Sequence, residues 1–157
     1  KFTRLYFKDC YIDGTTDFIF GPSTALFENC MIHSKRNSYV TAASTPKEAK
    51  YGYIFKHCKL TAEPGVDKVY LGRPWRPYAY TLFIECELGK HIVPAGWHNW
   101  GKQSNEETAR YMEYKNTGEG ANVSERVAWS KQLTKKEAEA VTVDAIFGTQ
   151  SNWNPID

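Results

Sequence analysis

Four cysteines in this chain of 157 residues occupy the same place in a repeated pattern. Each one ends the sequence Phe-x-x-Cys and is followed two residues later by Ile or Leu, in the segments LYFKDCYI, ALFENCMI, YIFKHCKL and TLFIECEL. Successive cysteines, namely Cys10, Cys30, Cys58 and Cys86, are separated by 20, 28 and 28 residues. Such spacings, with a loop of variable length in each repeat, are typical of a β-solenoid and fit no helical repeat.

A solenoid explains why the apolar positions repeat. One coil cannot bury its own apolar face, whereas like residues stacked on neighbouring coils about 4.8 Å apart form a continuous core. We therefore predict an all-β fold with two internal stacks, one of cysteines as small buried hydrophobes and one of Phe7, Phe27, Phe55 and Phe83. Disulfide bonds between neighbouring coils and a metal site are the alternatives to a mainly reduced cysteine ladder. The spacings lack the Cys-x-x-Cys clusters of zinc sites.

The repeat stops after Leu88, and from Gly101 onward the chain is more polar. Thr134 with Glu137 three residues later is the pattern of a capping box, which predicts the start of a short helix. We predict a single domain over residues 1–157, with solenoid coils to about residue 100 and an extension over about 101–157. This extension, a short helix and an irregular tail, is expected to pack on the outside of the solenoid.

Charge and hydropathy exclude several classes of partner. The 20 basic and 18 acidic residues give a net charge of +2 without a block of like charge, which argues against nucleic-acid and membrane-surface binding. The apolar stretches are strand-sized and far from the roughly 20 residues that cross a bilayer, so a soluble domain is expected. The first ten residues, KFTRLYFKDC, have no features of a signal peptide, and export cannot be inferred from them. The four histidines show no paired metal-ligand spacing, and no metal or cofactor is expected.

Two segments could carry chemistry. In DGTTDFIFG, Asp17 lies in a predicted strand, where Asp is uncommon, with Phe18 and Phe20 on one face. In VYLGRPWRPY, Arg73 precedes a proline that keeps its backbone extended, and Trp75 follows closely. A turn aspartate, a solvated arginine and a core tryptophan are the alternative interpretations. Stacked coils can bring Asp17 and Arg73 together, and the arginine would then keep the carboxylate ionised and oriented.

A third segment, IVPAGWHNWG, places two tryptophans around His98. They could extend a sugar-binding groove or form an aromatic plug over the core. We expect a mixture of the two, with Trp97 nearer the groove.

The segments GTTDFIFG, YLGRPW and PAGW, with the later EYKNTGEGA and RVAW, resemble the pectin methylesterase (pectinesterase) family over nearly the whole chain. The resemblance implies a right-handed parallel β-helix that hydrolyses galacturonate methyl esters of pectin, needs no metal or cofactor, and is secreted, periplasmic or cell-wall associated. It further implies that Asp17 is the nucleophile and Arg73 orients it. Trp75 would stack on substrate, and the site would be lined by Phe18, Phe20 and Thr16, the last standing where Val or Ile is expected.

The resemblance also implies groups that this chain lacks. In the family a general acid/base Asp and oxyanion-stabilising Gln residues lie upstream of the nucleophile, whereas here sixteen residues precede Asp17 and no Gln precedes Gln103. We therefore expect the C-terminal half of a catalytic domain, without its N-terminal coils and nearly inactive alone. An open edge at Lys1–Tyr11 predicts self-association. Another carbohydrate esterase, or an inactive polysaccharide-binding solenoid, is the alternative function.

Overall fold

Parallel strands make up most of the computed structural model, which describes residues 3–148, 153 and 155–156. The strands are β1 (Arg4–Lys8), β2 (Tyr11–Gly14), β3 (Ile19–Gly21), β4 (Thr24–Glu28), β5 (Met31–Ser34), β6 (Tyr39–Ala43), β7 (Tyr53–Lys56), β8 (Lys59–Ala62), β9 (Tyr70–Gly72), β10 (Tyr80–Ile84), β11 (Glu87–Leu88), β12 (Arg110–Tyr114) and β13 (Lys131–Gln132). Short helices are α1 (Asn105–Thr108), α2 (Lys135–Glu139) and α3 (Val143–Phe147), with a 3₁₀ turn at Glu119–Ala121. None of the helices in the described part of the chain is long and apolar enough to span a membrane.

The strands form three sheets because each of the first three coils contributes one strand to each sheet in turn. The first sheet has the order β1-β4-β7-β10-β12-β13, the second β11-β8-β5-β2 and the third β3-β6-β9. Neighbouring strands are parallel, and equivalent residues of successive coils are paired, as with Phe7 and Phe27 or Phe55 and Phe83. This is a parallel β-helix, and the solenoid predicted from the repeat is confirmed.

The repeated phenylalanines stack inside the solenoid. Their ring centroids are 4.8, 4.5 and 4.4 Å apart from Phe7 through Phe27 and Phe55 to Phe83, with nearly parallel planes. The four cysteines are free, and all but the first are buried. Each buried thiol lies near the carbonyl oxygen of a phenylalanine on the preceding coil, at 3.4–3.5 Å. Both internal stacks therefore occupy the positions expected from the repeat.

The residue directly before each cysteine lies at the corner where the chain passes from the first sheet to the second. Asp9, Asn29, His57 and Glu85 have φ between 49° and 54°, the left-handed region that L-residues seldom adopt. The side chains of the first two coils support this turn, since Asn29 Nδ2 donates to Asp9 Oδ1 at 2.6 Å. The Phe-x-x-Cys pattern therefore includes a sharp corner as well as two core positions.

The coil pattern continues past the point where the sequence repeat ends. In β12, Glu113 pairs with Phe83 of β10, and so occupies the next position of the phenylalanine stack. Asn116 follows where the next cysteine would lie, and its Oδ1 accepts the backbone N–H of Cys86 at 2.9 Å. The expected extension from about residue 101 thus begins with a further solenoid strand, and the polar substitutions hide this coil in the sequence.

Helices α2 and α3 pack on the outer face of the first sheet. Their apolar residues join a cluster with side chains from the strands, namely Leu26, Ile54, Leu82, Tyr114, Ala138, Val141, Ile146 and Phe147. The capping box is present, because Thr134 Oγ1 accepts the Glu137 N–H at 3.2 Å and Glu137 Oε1 accepts the Thr134 N–H at 3.1 Å. The predicted short helix on the outside of the solenoid is confirmed.

Strands β1, β2 and β3 end their sheets and pair on one side only. Because such edges can pair with a second chain, we predict that the 157-residue chain self-associates as its concentration rises. Sedimentation velocity over a range of concentrations measures this. A lysine on an edge strand discourages pairing, so Leu5→Lys, at a position 39% exposed, is expected to shift the chain toward monomer. A monomer for the unmodified chain at every concentration would contradict the prediction.

Candidate active site

The third sheet brings Asp17 and Arg73 together. The prediction that Asp17 lies in a strand is wrong, because it lies just before β3 with a left-handed φ of 49°. Its N–H donates to the carbonyl oxygen of Tyr39 on the neighbouring coil at 2.9 Å. Arg73 directly follows β9, and its N–H donates to the carbonyl oxygen of Thr41 at 3.0 Å. Since β3, β6 and β9 are stacked in order, residues 56 positions apart in sequence lie side by side. The two residues paired by sequence reasoning are in contact.

The contact is a two-pronged ion pair. Arg73 Nε donates to Asp17 Oδ1 at 3.0 Å, and Arg73 Nη2 donates to Asp17 Oδ2 at 2.6 Å. The side chains are 22% and 20% exposed, so the carboxylate is partly shielded and still open to solvent. Hydrogen bonding to Asp17 raises the pKa of Arg73 above its usual value. This geometry holds the Asp17 carboxyl group in one orientation.

Two aromatic rings enclose the Arg73 guanidinium, and we call Tyr39 and Trp100 the aromatic clamp. The guanidinium carbon lies 3.9 Å from each ring centroid, well within the range of cation–π attraction. Tyr39 also stacks on Tyr70 of the next coil at 5.2 Å. Sequence reasoning missed Tyr39 and Tyr70. Their stacking follows from the register of β6 and β9, in which these two residues are paired.

An exposed aromatic pair lies on the same sheet. Phe20 of β3 is 64% exposed and Trp75 is 40% exposed, and their rings meet edge to face at 5.9 Å. Thr16 is exposed, and its Oγ1 accepts a hydrogen bond from Ser38 at 2.9 Å. Phe18 is half-buried and packs against the core, where a Cβ at Gly14 would come within 2.3 Å of the Phe18 Cβ. The prediction that Phe18 and Phe20 share one face is therefore wrong, and Phe20 with Trp75 forms the exposed aromatic surface beside Asp17.

The expectation that Trp97 lies near the groove is wrong. Trp97 is 1% exposed and packs in the core against Phe83 and Tyr111, with ring centroids 6.0 and 4.2 Å away. The backbone bridge between Gly72 and Trp97 aligns this residue with the strands, and its ring lies 3.3 Å from where a Cβ on Gly72 would be. Of the two tryptophans around His98, Trp100 is the one that contacts Arg73.

Two histidines near the end of the repeats have lowered pKa values. Burial, with a smaller contribution from the charge of Arg73, lowers the pKa of His98 below its usual value. Burial lowers the pKa of His91 to about 4. Within residues 3–148, 153 and 155–156, no three His, Cys, Asp or Glu side chains are grouped so that they could hold a metal ion.

A sequence model of the family described as Pectinesterase matches residues 1–150. The chain belongs to the pectinesterase family. It is 44% identical to pectinesterase 31 of Arabidopsis thaliana over 136 residues, which cover 86% of this chain and 43% of that relative. The chain thus spans less than half the length of this pectinesterase.

Solved structures show the same fold. The pectin methylesterase from carrot superimposes with a TM-score of 0.87 at 34% identity, covering 94% of this chain and 51% of that one. Pectin methylesterase PemA from Erwinia chrysanthemi gives a TM-score of 0.83 at 32% identity, covering 98% and 53%. The fold is the right-handed parallel β-helix of these pectinesterases. The family and the fold inferred from the sequence motifs are confirmed.

Arg73→Lys is predicted to slow any reaction in which the Asp17 carboxylate takes part. Lysine cannot supply the planar fork that bonds both Asp17 oxygens, nor stack flat between two rings. Because a displacement of about 1 Å at a reacting group can lower a rate about 100-fold, we expect kcat to fall on the order of 10- to 100-fold. Arg36→Lys, at an exposed arginine, is the matched control. An unchanged kcat for Arg73→Lys would show that bidentate pairing is dispensable.

Proposed function

We propose that this protein removes methyl esters from the galacturonate units of pectin, with Asp17 as the nucleophile. The observation that carries the proposal is the bidentate Asp17–Arg73 pair beside exposed Phe20 and Trp75, in a member of the pectinesterase family. A pectin methylesterase in complex with hexasaccharide VII is among the structural neighbours, with 31% identity and a TM-score of 0.79. A sugar chain is therefore a suitable ligand for this fold.

The proposed reaction has two stages. An oxygen of the Asp17 carboxylate attacks the carbonyl carbon of the ester, and the tetrahedral intermediate expels methoxide, which is protonated to methanol. The product of this stage is an anhydride between Asp17 and the galacturonate. Water then attacks the anhydride, loses a proton to a base, and releases the galacturonate carboxyl group with the Asp17 carboxylate restored. Arg73 holds that carboxylate in one orientation before each turnover.

Phe20 and Trp75 are proposed to hold the sugar. Their exposed rings are large, apolar and close together, and such surfaces stack on the apolar faces of sugar rings. Thr16 lies at the surface beside Asp17 and is proposed to contact the substrate. Phe18 is proposed to support the site from its half-buried position against Gly14. Because pectin lies outside cells, we propose that the protein acts after secretion, in the periplasm or in the cell wall.

The mechanism requires a proton donor and oxyanion donors in addition to Asp17 and Arg73. The glutamines of this chain are Gln103, Gln132 and Gln150, and the Gln132 amide donates to Glu113 at 3.3 Å. Gln150 lies outside the described residues. We propose that other residues supply these donors in the active protein. We then expect the 157-residue chain alone to release methanol on the order of 100- to 1000-fold more slowly than the form that carries these donors.

Methanol release from methylated pectin tests the proposed function in the form of the protein that carries the proton donor and the oxyanion donors, with acetate release from acetylated pectin measured in parallel. We expect methanol and no acetate. Acetate without methanol would favour another carbohydrate esterase on the same scaffold. Binding of polygalacturonate without release of either product would favour an inactive polysaccharide-binding solenoid.

A further inference from the structure

Trp100 has a backbone conformation that a large aromatic residue seldom adopts. Its φ is 62°, in the left-handed region where a side chain approaches its own backbone. Residues kept in such conformations are held by their surroundings, and they are frequent at active sites.

Hydrogen bonds hold the short segment 98–101 in place. The Trp100 N–H donates to Nδ1 of His98 at 3.0 Å. The next N–H, of Gly101, donates to Asn99 Oδ1 at 2.8 Å. The Asn99 amide in turn donates to Glu106 of α1 at 3.2 Å. His98 and Asn99 thus bond successive backbone N–H groups, and α1 anchors the segment.

The strained conformation places the Trp100 ring against Arg73. The guanidinium carbon is 3.9 Å from the centroid of this ring and 3.9 Å from that of Tyr39. Contact with two rings and two hydrogen bonds to Asp17 restrict rotation of the guanidinium, and its edge points at Asp17. The segment therefore restricts the fork that orients the carboxylate.

His98 controls this arrangement through its protonation state. A hydrogen-bond acceptor at Nδ1 requires the neutral ring with its proton on Nε2. Protonated His98 would present an N–H at Nδ1 to the Trp100 N–H, which removes the bond. The titratable groups facing His98 are Tyr39 and Tyr70, whose ring centroids lie at 5.4 and 5.3 Å, and the Arg73 guanidinium, with Asp17 beyond it. A second positive charge beside Arg73 is also unfavourable.

We propose that Trp100 and His98 are positioning residues for the Asp17–Arg73 pair: neutral His98 holds Trp100 in its left-handed conformation, and Trp100 with Tyr39 clamps the Arg73 guanidinium. The catalytic consequence of this inference rests on the proposed esterase function, whereas the clamp itself does not. Asp17 can attack an ester only while Arg73 is correctly placed, so the clamp links its reactivity to the protonation of His98.

The direction of the pH effect follows from the His98 environment. Burial and the Arg73 charge lower its pKa below the usual value of 6.5. A histidine with a depressed folded-state pKa is neutral, with the clamp formed, at pH values above 6.5, and the clamp is lost as the pH falls through the lowered pKa. The clamp thus opens only in acid.

Nuclear magnetic resonance of the 157-residue chain tests the clamp without requiring activity. The Arg73 Nε–H is bonded to Asp17 and the guanidinium contacts two aromatic rings, so its exchange with water is expected to be much slower than that of free arginine at the same pH. This protection, always measured against free arginine at the same pH, should fall at least about tenfold in acid, in Trp100→Leu and in His98→Leu. Trp100→Phe keeps a ring and should exchange close to the original rate. Equal exchange in Trp100→Leu and the unmodified chain would overturn the proposal.

His98→Asn separates hydrogen bonding from titration. The Asn Oδ1 can accept the same Trp100 N–H and does not become protonated, so this variant should keep slow Arg73 exchange into more acidic solution. His57→Asn is the matched control, since His57 is exposed and pairs with Glu85. Identical acid sensitivity in His98→Asn and the unmodified chain would overturn the assignment to His98.

The same substitutions can be made in a form of the protein that releases methanol, and their kcat and KM measured. Trp100→Leu should lower kcat on the order of 10- to 100-fold with a smaller change in KM, because the guanidinium fork is displaced and the exposed sugar-stacking pair is not. Trp100→Phe should restore most of kcat. A loss confined to KM would instead indicate that Trp100 binds substrate, and would contradict positioning. If no form of the protein releases methanol, the esterase proposal is refuted, and the exchange test on the 157-residue chain still decides whether the clamp exists.

Discussion

Asp17→Asn is expected to abolish methanol release while the β-helix remains folded. The amide is nearly the same size as the carboxylate but is a poor nucleophile, so the first stage of the proposed reaction cannot proceed. Removal of a nucleophile can cost a factor on the order of 10⁶ in kcat, and we expect a loss of at least about 10⁴-fold here. The Asn oxygen can still accept one of the two Arg73 N–H groups, and the site is partly open to solvent, so the effect on stability should be small.

The measurement combines kcat with thermal unfolding of the same variant. Asp13→Asn is the matched control, because Asp13 is an exposed carboxylate whose only salt bridge in the described structure is with Lys35 at 3.9 Å. It should leave both quantities nearly unchanged. Methanol release by Asp17→Asn at a rate near that of the unmodified protein would remove Asp17 from the nucleophile role.

Glu113→Ala is expected to lower the free energy of unfolding by about 3–5 kcal/mol, because it leaves the charge of Arg126 buried without its partner. Arg126 Nε and Nη2 donate to the two Glu113 oxygens at 2.9 and 3.1 Å, and the side chains are 3% and 1% exposed. Arg126 also donates to the carbonyl oxygens of Gly120 at 2.7 Å and Pro94 at 3.0 Å. The pair therefore joins β12 to the loops that close this end of the solenoid.

Urea unfolding measures the effect. Glu87→Ala is the control, since the Lys59–Glu87 pair is 3.6 Å long with both side chains more than half exposed, and such pairs contribute about 1 kcal/mol or less. A double variant, Glu113→Phe with Arg126→Leu, continues the phenylalanine stack and leaves no buried charge, so it should recover much of the lost stability. A change below about 1 kcal/mol for Glu113→Ala would contradict the assignment of a buried, paired carboxylate.

The repeat in the sequence was sufficient to predict the solenoid because a solenoid is built by translation. Each Phe-x-x-Cys segment places like residues at like positions, and the spacing between segments assigns any other residue to a coil. Asp17 and Arg73 could therefore be paired before the structure was known, although 56 positions separate them. The capping box at Thr134 was predictable for a related reason, since its hydrogen bonds join residues three apart.

Residues without a repeated pattern were not predictable in the same way. Glu113 and Asn116 occupy the Phe and Cys positions of a further coil with side chains that do not resemble Phe or Cys. The charge of the buried Glu113 is compensated by Arg126, which reaches it from a loop. Such a partner has no fixed sequence distance. A pattern search therefore ends one coil too early.

The sequence by itself determined the stack, the family and the meeting of Asp17 with Arg73, because these depend on residue spacing along a translational repeat. Only the tertiary structure decided which aromatic rings contact Arg73 of that pair. Trp97 turns inward and Trp100 turns onto Arg73, since Trp100 has a φ of 62° and its N–H is bonded to His98. Side-chain direction at such a corner depends on backbone angles and on hydrogen bonds from other segments, neither of which is encoded in residue spacing.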